Sequence, residues 1–366
     1  MNNLNFGFVG LGLIGGSIAK ALRRAYPDCK IYVYDTNTDS TKKAVSELVV
    51  NAAISIGPDF GICDYIFMCA PVEYNNENLE KIIPFIKESC IITDVGSVKG
   101  PIVEAINKLG ITKSFIGGHP MAGSERFGYS NSKPGILENA YYILTPTDDV
   151  PTAKVDAFRL LIKSIGAIPI VLSSETHDYV TGAISHLPHV ISAALVNLIK
   201  NQDTSDGVMK MVAAGGFKDI TRISSSSPEM WQQICLENNQ NIETLLNEYI
   251  KALEEIKKQI ASSSSDRLYD FFSSAREYRE SFISSNSGPI KAEYVITVDI
   301  ADKPGAIAAI ASLLSMHSIN IKNIGINHNR EFAEGALRIE FYDEVATTSA
   351  IQVMNEHGYN THSKKY

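Results

Sequence analysis

Residues 5 to 17 read NFGFVGLGLIGGS, and the order of residue types in this stretch decides the fold. Asn5–Val9 is a short apolar run that predicts a strand, and glycines at 10, 12 and 15 follow it at once. They spell G-x-G-x-x-G between that strand and a helix predicted over 15–24. The first glycine permits a tight turn, the second lets a pyrophosphate approach the backbone, and the third allows close helix-to-strand packing. The helix N-terminus then aims free N–H groups at the phosphates. Asp35 closes the second predicted strand, Lys30–Tyr34, 20 residues beyond Gly15. A carboxylate there accepts hydrogen bonds from both ribose hydroxyls. Thr36 and Asn37 carry no charge to neutralise a 2′-phosphate, so the reading is NAD rather than NADP.

Outward from this motif, further strands are predicted at 65–69, 91–94, 114–117 and 141–145, with helical stretches such as 78–86 between them. Strands alternating with helices give an α/β, doubly wound Rossmann-type domain. From Glu175 the strand pattern stops and helices run to about Ile283. In 241–260, Ile242, Leu245, Leu246, Tyr249, Ile250, Leu253, Ile256 and Ile260 recur at helical spacing. Such a stripe is first a core face, and second a surface for another subunit. Residues 284–289, SSNSGP, are a turn-forming linker. Beyond them, strands at 294–300, 319–326 and 336–341 and helices at 305–316 and 345–357 make a small α+β unit, with a last strand near 359–363. The predicted domains are 1–172 for dinucleotide binding, 173–283 for an all-α helical unit, 284–291 for the linker and 292–366 for the small unit.

Composition narrows the function. The chain has 366 residues, enough for two or three cores, with 45% hydrophobic and 20% charged residues, the profile of a soluble globular protein. A formal net charge of −8 argues against a general nucleic-acid or anionic-membrane binder, which needs a basic footprint. The five cysteines form no C-x-x-C pair and no metal-ligand spacing with histidine, so they read as reduced thiols and no metal is expected. The start of the chain has no signal-peptide pattern. The apolar stretch 190–199 is short and interrupted by Ser192 and Asn197, so no membrane span is expected there. A cytoplasmic protein is the expectation.

Two segments carry candidate chemistry. DVGSVK at 94–99 and GGHPMAGSERFG at 117–128 each follow a predicted strand, and ligands of a doubly wound sheet gather at the carboxyl ends of its strands. His119 is a candidate acid/base group, with Ser97 a candidate to orient it. Singly, a histidine before proline is more often a structural hydrogen-bonder, and a lone serine is usually a cap or turn former.

Together, GLGLIGGS at 10–17, DVGSVK at 94–99, GGHPMAGSE at 117–125, SHLPH at 185–189 and GGFKDITRI at 215–223 resemble the prephenate dehydrogenase family over roughly 6–280. Residues 293–360, with DKPG at 302–305 after a strand, are similar to an ACT domain, the βαββαβ module that binds amino acids. The resemblance implies NAD-dependent oxidative decarboxylation of prephenate, with tyrosine as effector of the small domain, and the stripe at 241–260 makes a homodimer through the helical domain the expected assembly. It implies that His119 accepts a hydrogen bond from the ring hydroxyl and that Ser97 polarises His119 near the nicotinamide. Arg222 would hold a substrate carboxylate, with His189 and the Gly215 backbone lining the same pocket. Glu125 and Asp219, with Lys218, would form an ionic group at its mouth, beside Ser124 and Trp231. The implied cofactor set is Gly10, Gly12, Leu13, Ile14, Gly15, Asp35, Ala70, Pro71 and Asp94. Arogenate dehydrogenase, which differs only in an amino for a keto side chain, is the nearest alternative. Another β-hydroxyacid dehydrogenase, or a non-catalytic amino-acid sensor, would also keep the fold.

Overall fold

The computed structural model describes residues 4–123, 126–284, 294–300, 304–327 and 336–363, and divides into two compact units, 1–257 and 258–366. The first unit opens on a parallel sheet of β1 (Asn5–Val9), β2 (Lys30–Tyr34), β3 (Ala52–Ala53), β4 (Tyr65–Met68) and β5 (Ile91–Asp94), in the order β3-β2-β1-β4-β5. Its crossovers carry helices α1 (Leu13–Ala25), α2 (Thr38–Ser46) and α3 (Val72–Ile82); α4 (Gly100–Leu109) follows β5. A parallel bridge from Ile92 to Phe115 leads on to β6 (Ile116–Pro120), β7 (Tyr141–Pro146) and β8 (Ile168–Val171), with α5 (Thr152–Ser164) before β8. Within this second sheet β6 and β7 run antiparallel, so it is not parallel throughout.

Both faces of the first sheet are covered, as a doubly wound arrangement requires. Phe6 and Phe8 of β1 and Phe67 of β4 enter one core, where Phe8 stacks on Phe67 with ring centroids 5.0 Å apart. The alternate residues Val9, Ile66 and Met68 enter the other, the period-two alternation that a pleated strand imposes.

After β8 the chain is helical: α6 (Ser174–Thr181), α7 (Leu187–Gln202), α8 (Val208–Val212), α9 (Gly215–Thr221), α10 (Pro228–Glu237) and α11 (Asn239–Ala261). A π-helical turn, Gly182–His186, joins α6 to α7 without a break. Pro188 in the first turn of α7 has no N–H to give its preceding turn, and a widened turn absorbs that loss. The resulting run, Ser174–Gln202, is 29 residues, long and apolar enough to cross a bilayer by length and composition. This corrects the sequence reading, in which only 190–199 counted and was too short. Its first turns are nonetheless fastened to the Rossmann-type domain, because Asp178 accepts from the backbone N–H of Lys99 and of Gly100. The apolar stripe of α11 divides: Ile242 and Leu245 are buried, whereas Ile250 and Leu253 are exposed. The core reading therefore holds only for its first turns.

The second unit contains α12 (Ser265–Ser284) and then β9 (Val295–Asp299), α13 (Ala306–Met316), β10 (Asn323–Asn327), β11 (Ala336–Glu340), α14 (Glu344–Glu356) and β12 (Thr361–Ser363). Its antiparallel sheet has the order β10-β11-β9-β12 and its own core of Ile296, Val298, Ile310, Leu314, Leu337 and Ile339. The βαββαβ order is the one predicted. Asp302 and Lys303, with linker residues 285–289, lie outside the described residues.

Candidate active site

Gly10 leaves β1 at φ +92°, and a Cβ on it would stand 2.6 Å from the backbone nitrogen of Ala70. Only glycine accepts both that angle and that approach. A Cβ on Gly15 would meet the carbonyl oxygen of Gly10 at 2.7 Å, which is the close helix-to-strand packing predicted for the third glycine. Around Gly12 the space is open, and as N-cap of α1 it supplies no side-chain oxygen. The first N–H groups of α1 are thus left for an anion. Asp35, just past β2, accepts from the backbone N–H of Leu11 at 2.5 Å and of Asn37 at 2.6 Å. Its carboxylate is thereby held at the rim of the same cleft.

The cleft has a volume of about 1180 Å³ and runs along the carboxyl ends of the strands. Gly10, Gly12, Leu13, Ile14, Gly15, Asp35, Ala70 and Pro71 line it, and so do Ser97 and His119. Turn, acid and helix N-terminus together suit a dinucleotide. Asp94 is different: it is buried beneath the lining and saturated, accepting from Lys99 Nζ at 2.5 Å, Gly96 N at 2.9 Å and Gly118 N at 3.0 Å. Lys99, fully buried, also donates to the Gly118 carbonyl at 2.7 Å. Burial lowers the Lys99 pKa, and Asp94 opposes that shift. This pair ties the end of β5 to β6, and a Cβ on Gly118 would stand 2.6 Å from the Asp94 carbonyl oxygen. The glycines before His119 are therefore there for close approach.

His119 is on β6, partly open to the cleft. Ser97 shares the cleft, but the described hydrogen bond of His119 goes elsewhere, from Nδ1 to His177 Nε2 at 2.8 Å. His177 Nδ1 in turn meets Asp178 Oδ1 at 2.7 Å. Burial pushes the His119 pKa well below the usual imidazole value, and the neighbouring His177, Lys99 and His186 act in the same direction. Asn238, at the end of α10, donates to the Asp178 carbonyl at 2.8 Å and lies 3.0 Å from His186 Nδ1. Burial pushes His186 down to about 4, against the pull of Asp178. None of His177, Asp178, His186 or Asn238 was singled out from the sequence. The Asp178 contact to the start of α4 and the adjacency of His177 to His119 exist only in three dimensions. Glu237, half-buried in the cleft wall, was missed for the same reason; burial, then Asp178, raises its pKa.

The predicted substrate residues form a second group in the helical domain. His189 stacks on Trp231 with centroids 3.7 Å apart and meets the Ser185 carbonyl through Nδ1 at 2.9 Å. Burial lowers the His189 pKa, and the charge of Arg222 adds to that, which places the guanidinium in its field. His186 packs edge-on to the same Trp231, so a ring contact joins this group to the hydrogen-bonded residues behind His119. Gly215, Lys218 and Asp219 lie on exposed α9 and do not line the cofactor cleft. Ser124 and Glu125 are outside the described residues.

Known proteins match this arrangement along most of the chain. Residues 18–171 match the family model for the prephenate dehydrogenase nucleotide-binding domain, and 173–274 match the model for its dimerization domain. Prephenate dehydrogenase of Bacillus subtilis is 36% identical over 338 residues, covering 92% of this chain and 91% of its own. Among solved structures, prephenate dehydrogenase from A. aeolicus in complex with hydroxyphenyl propionate and NAD+ superposes with a TM-score of 0.72 at 34% identity, over 77% of this chain and 99% of that one. Arogenate dehydrogenase of Synechocystis superposes with a TM-score of 0.69 at 29% identity, over 76% and 100%.

Proposed function

The chain belongs to the prephenate dehydrogenase family, and from that premise we propose how its own residues divide the work of the reaction. It is an NAD-dependent oxidoreductase that converts prephenate to 4-hydroxyphenylpyruvate and carbon dioxide. The observation that carries the assignment of residues is that His119 and Ser97 line one cleft with the Gly10 to Gly15 turn and Asp35.

NAD, held by that turn, the N-terminus of α1 and Asp35, supplies the hydride acceptor. His119 takes the proton of the C4 hydroxyl as the C4 hydride departs, and C1 then loses carbon dioxide. The electrons left on the ring make it aromatic, with a phenolate oxygen at C4. His119 returns its proton to that oxygen, so the base ends each turnover as it began and no net proton is released. Ser97 has no partner among the described residues, which leaves its hydroxyl for substrate or nicotinamide. Arg222, with its two-pronged donors, anchors a substrate carboxylate beside His189 and Trp231. Gly215, Lys218, Asp219, Ser124 and Glu125 belong to that pocket's wall and mouth in this reading.

The helical domain is the dimer interface. Support comes from the description of the matching family model and from exposed apolar residues, with Met211 78%, Val212 71% and Leu236 67% accessible. An apolar groove of about 740 Å³ lined by Val196, Ile199, Met209, Val212 and Phe217 adds to this. The small βαββαβ unit is an ACT-like domain for tyrosine, and 284–291 is the linker before it. The five cysteines are free, and burial pushes Cys63 and Cys90 up to about 12, which suits a reducing cytoplasm. The deciding experiment is NADH formation by the purified chain offered prephenate or arogenate, each with NAD or NADP. Turnover of prephenate with NAD is expected to dominate, and a preference for arogenate would replace prephenate in this reading.

A further inference from the structure

The hydrogen bonds behind His119 determine which of its ring nitrogens carries the proton. Asp178 accepts Lys99 N at Oδ1 and Gly100 N at Oδ2, each at 2.8 Å. With both oxygens accepting, the carboxylate makes His177 Nδ1, 2.7 Å from Oδ1, the donor. A neutral His177 then has only a lone pair at Nε2, so His119 must donate to it from Nδ1 across 2.8 Å. Nε2 of His119 is left with its lone pair on the edge of the ring turned away from His177.

We propose that His177 and Asp178 are positioning residues that hold His119 in its Nδ1–H tautomer, leaving Nε2 as the basic atom. This deepens the reading of His119 as the base and rests on it. Asn238, 3% exposed, secures the pair from the helical domain. Its Oδ1 accepts from Asn241 at 2.8 Å, which fixes the amide so that Nδ2 donates to the Asp178 carbonyl. Gly182 allows this approach: a Cβ there would stand 3.3 Å from Asn238 Nδ2 and 3.2 Å from Leu245. When His119 takes the substrate proton at Nε2, its cationic ring is two hydrogen bonds from the Asp178 carboxylate. A buried carboxylate bonded to a catalytic imidazole fixes its tautomer; here Asp178 does so through His177.

The direct test is the tautomer in the NAD-bound full chain. With histidine labelled in ¹⁵N, long-range proton–nitrogen spectra distinguish Nδ1–H from Nε2–H, and loss of one signal set in His119→Asn assigns the residue. Nδ1–H at His119 is expected; Nε2–H, or an averaged pair, overturns the proposal. A second arm compares His177→Gln with His177→Leu, because the glutamine carbonyl accepts from His119 Nδ1 and leucine does not. The leucine variant is expected to lose kcat by roughly 10²-fold or more, the scale of acid–base help, with both KM values held and the glutamine variant recovering most of the loss. Equal kcat in the two variants counts against positioning. The spectra contain no prephenate, so failure of the substrate assignment would appear in the turnover assay alone and leave the tautomer result standing.

Discussion

His119 works in a setting that disfavours its protonated form. Burial above all, and then the neighbouring His177, Lys99 and His186, lower its pKa. The base functions when unprotonated, and a lowered pKa keeps it so as pH falls through the ordinary imidazole range near 6.5. The acid limb of kcat/KM, which reports the free enzyme, is therefore expected well below that value. A profile from roughly pH 5 to pH 9 checks this, and an acid limb at 6.5 or above would show that burial does not govern the base. His119→Asn is expected to lower kcat by roughly 10²- to 10⁴-fold while NAD binding, measured by fluorescence titration, is kept. Near-full kcat in that variant would reduce His119 to a structural histidine. At the other end of the cleft, Asp35→Ser with Thr36→Arg should move the kcat/KM preference toward NADP, since Asp35 repels a 2′-phosphate; an unmodified enzyme indifferent to the two cofactors would refute this role. His119, Ser97 and Asp35 were legible in the sequence because each belongs to a short run with its own spacing. His177 was not, because it is 58 residues from His119 on a helix whose local pattern carries no motif.

The same difference between local and distant information separates the elements that were legible from those that were not. β1 and β2 match their predicted spans, whereas β3, with two residues, and β8, with only partial burial, give too little alternation to detect. Helix α3 begins at Val72, a full turn and more before the predicted 78, because Pro71 serves as its N-cap position. The antiparallel β6–β7 pair was read as part of one parallel sheet, since direction is set by tertiary contact and not by composition. The joint between β5 and β6 depends on the Lys99–Asp94 pair, with 0% and 3% of the side chains exposed. Removing one partner of a buried pair leaves the other charge without compensation, at a cost of about 3–5 kcal/mol. Lys99→Met should therefore lower the unfolding free energy by that much, read as a lower urea midpoint, while Asp94 keeps its two backbone donors. The loosened Gly118 carbonyl should also lower kcat through His119. A Lys99→Met enzyme as stable as the parent in a urea titration would show that the lysine is dispensable to the joint.

At the level of the whole molecule, the small βαββαβ unit closes its own core and follows the residues that the dehydrogenase family models match, 18–171 and 173–274. We expect tyrosine, the pathway end product, to inhibit the enzyme through residues 293–366. The predicted turn before α13 is the place where such modules hold an amino acid's backbone groups, and Gly305, at its described end, takes φ +89° as the N-cap of that helix. Inhibition from a remote site requires that tyrosine bind one conformation of the enzyme better than another, and a coupling of about 1 to 3 kcal/mol is typical. Two simpler arrangements make different predictions. If the small domain only strengthens the dimer, its removal weakens association and leaves tyrosine inhibition as it was. If tyrosine competes in the active site as a product analogue, inhibition is competitive with prephenate and also survives removal. The measurement is the tyrosine concentration giving half inhibition in the full chain and in a truncation ending near Ser285, which retains both domains matched by the dehydrogenase family models. With its site removed, the truncated enzyme should lose this inhibition at tyrosine concentrations that half-inhibit the full chain. An active truncated enzyme inhibited at the same tyrosine concentration as the full chain would move the inhibitor site into the cleft beside His119.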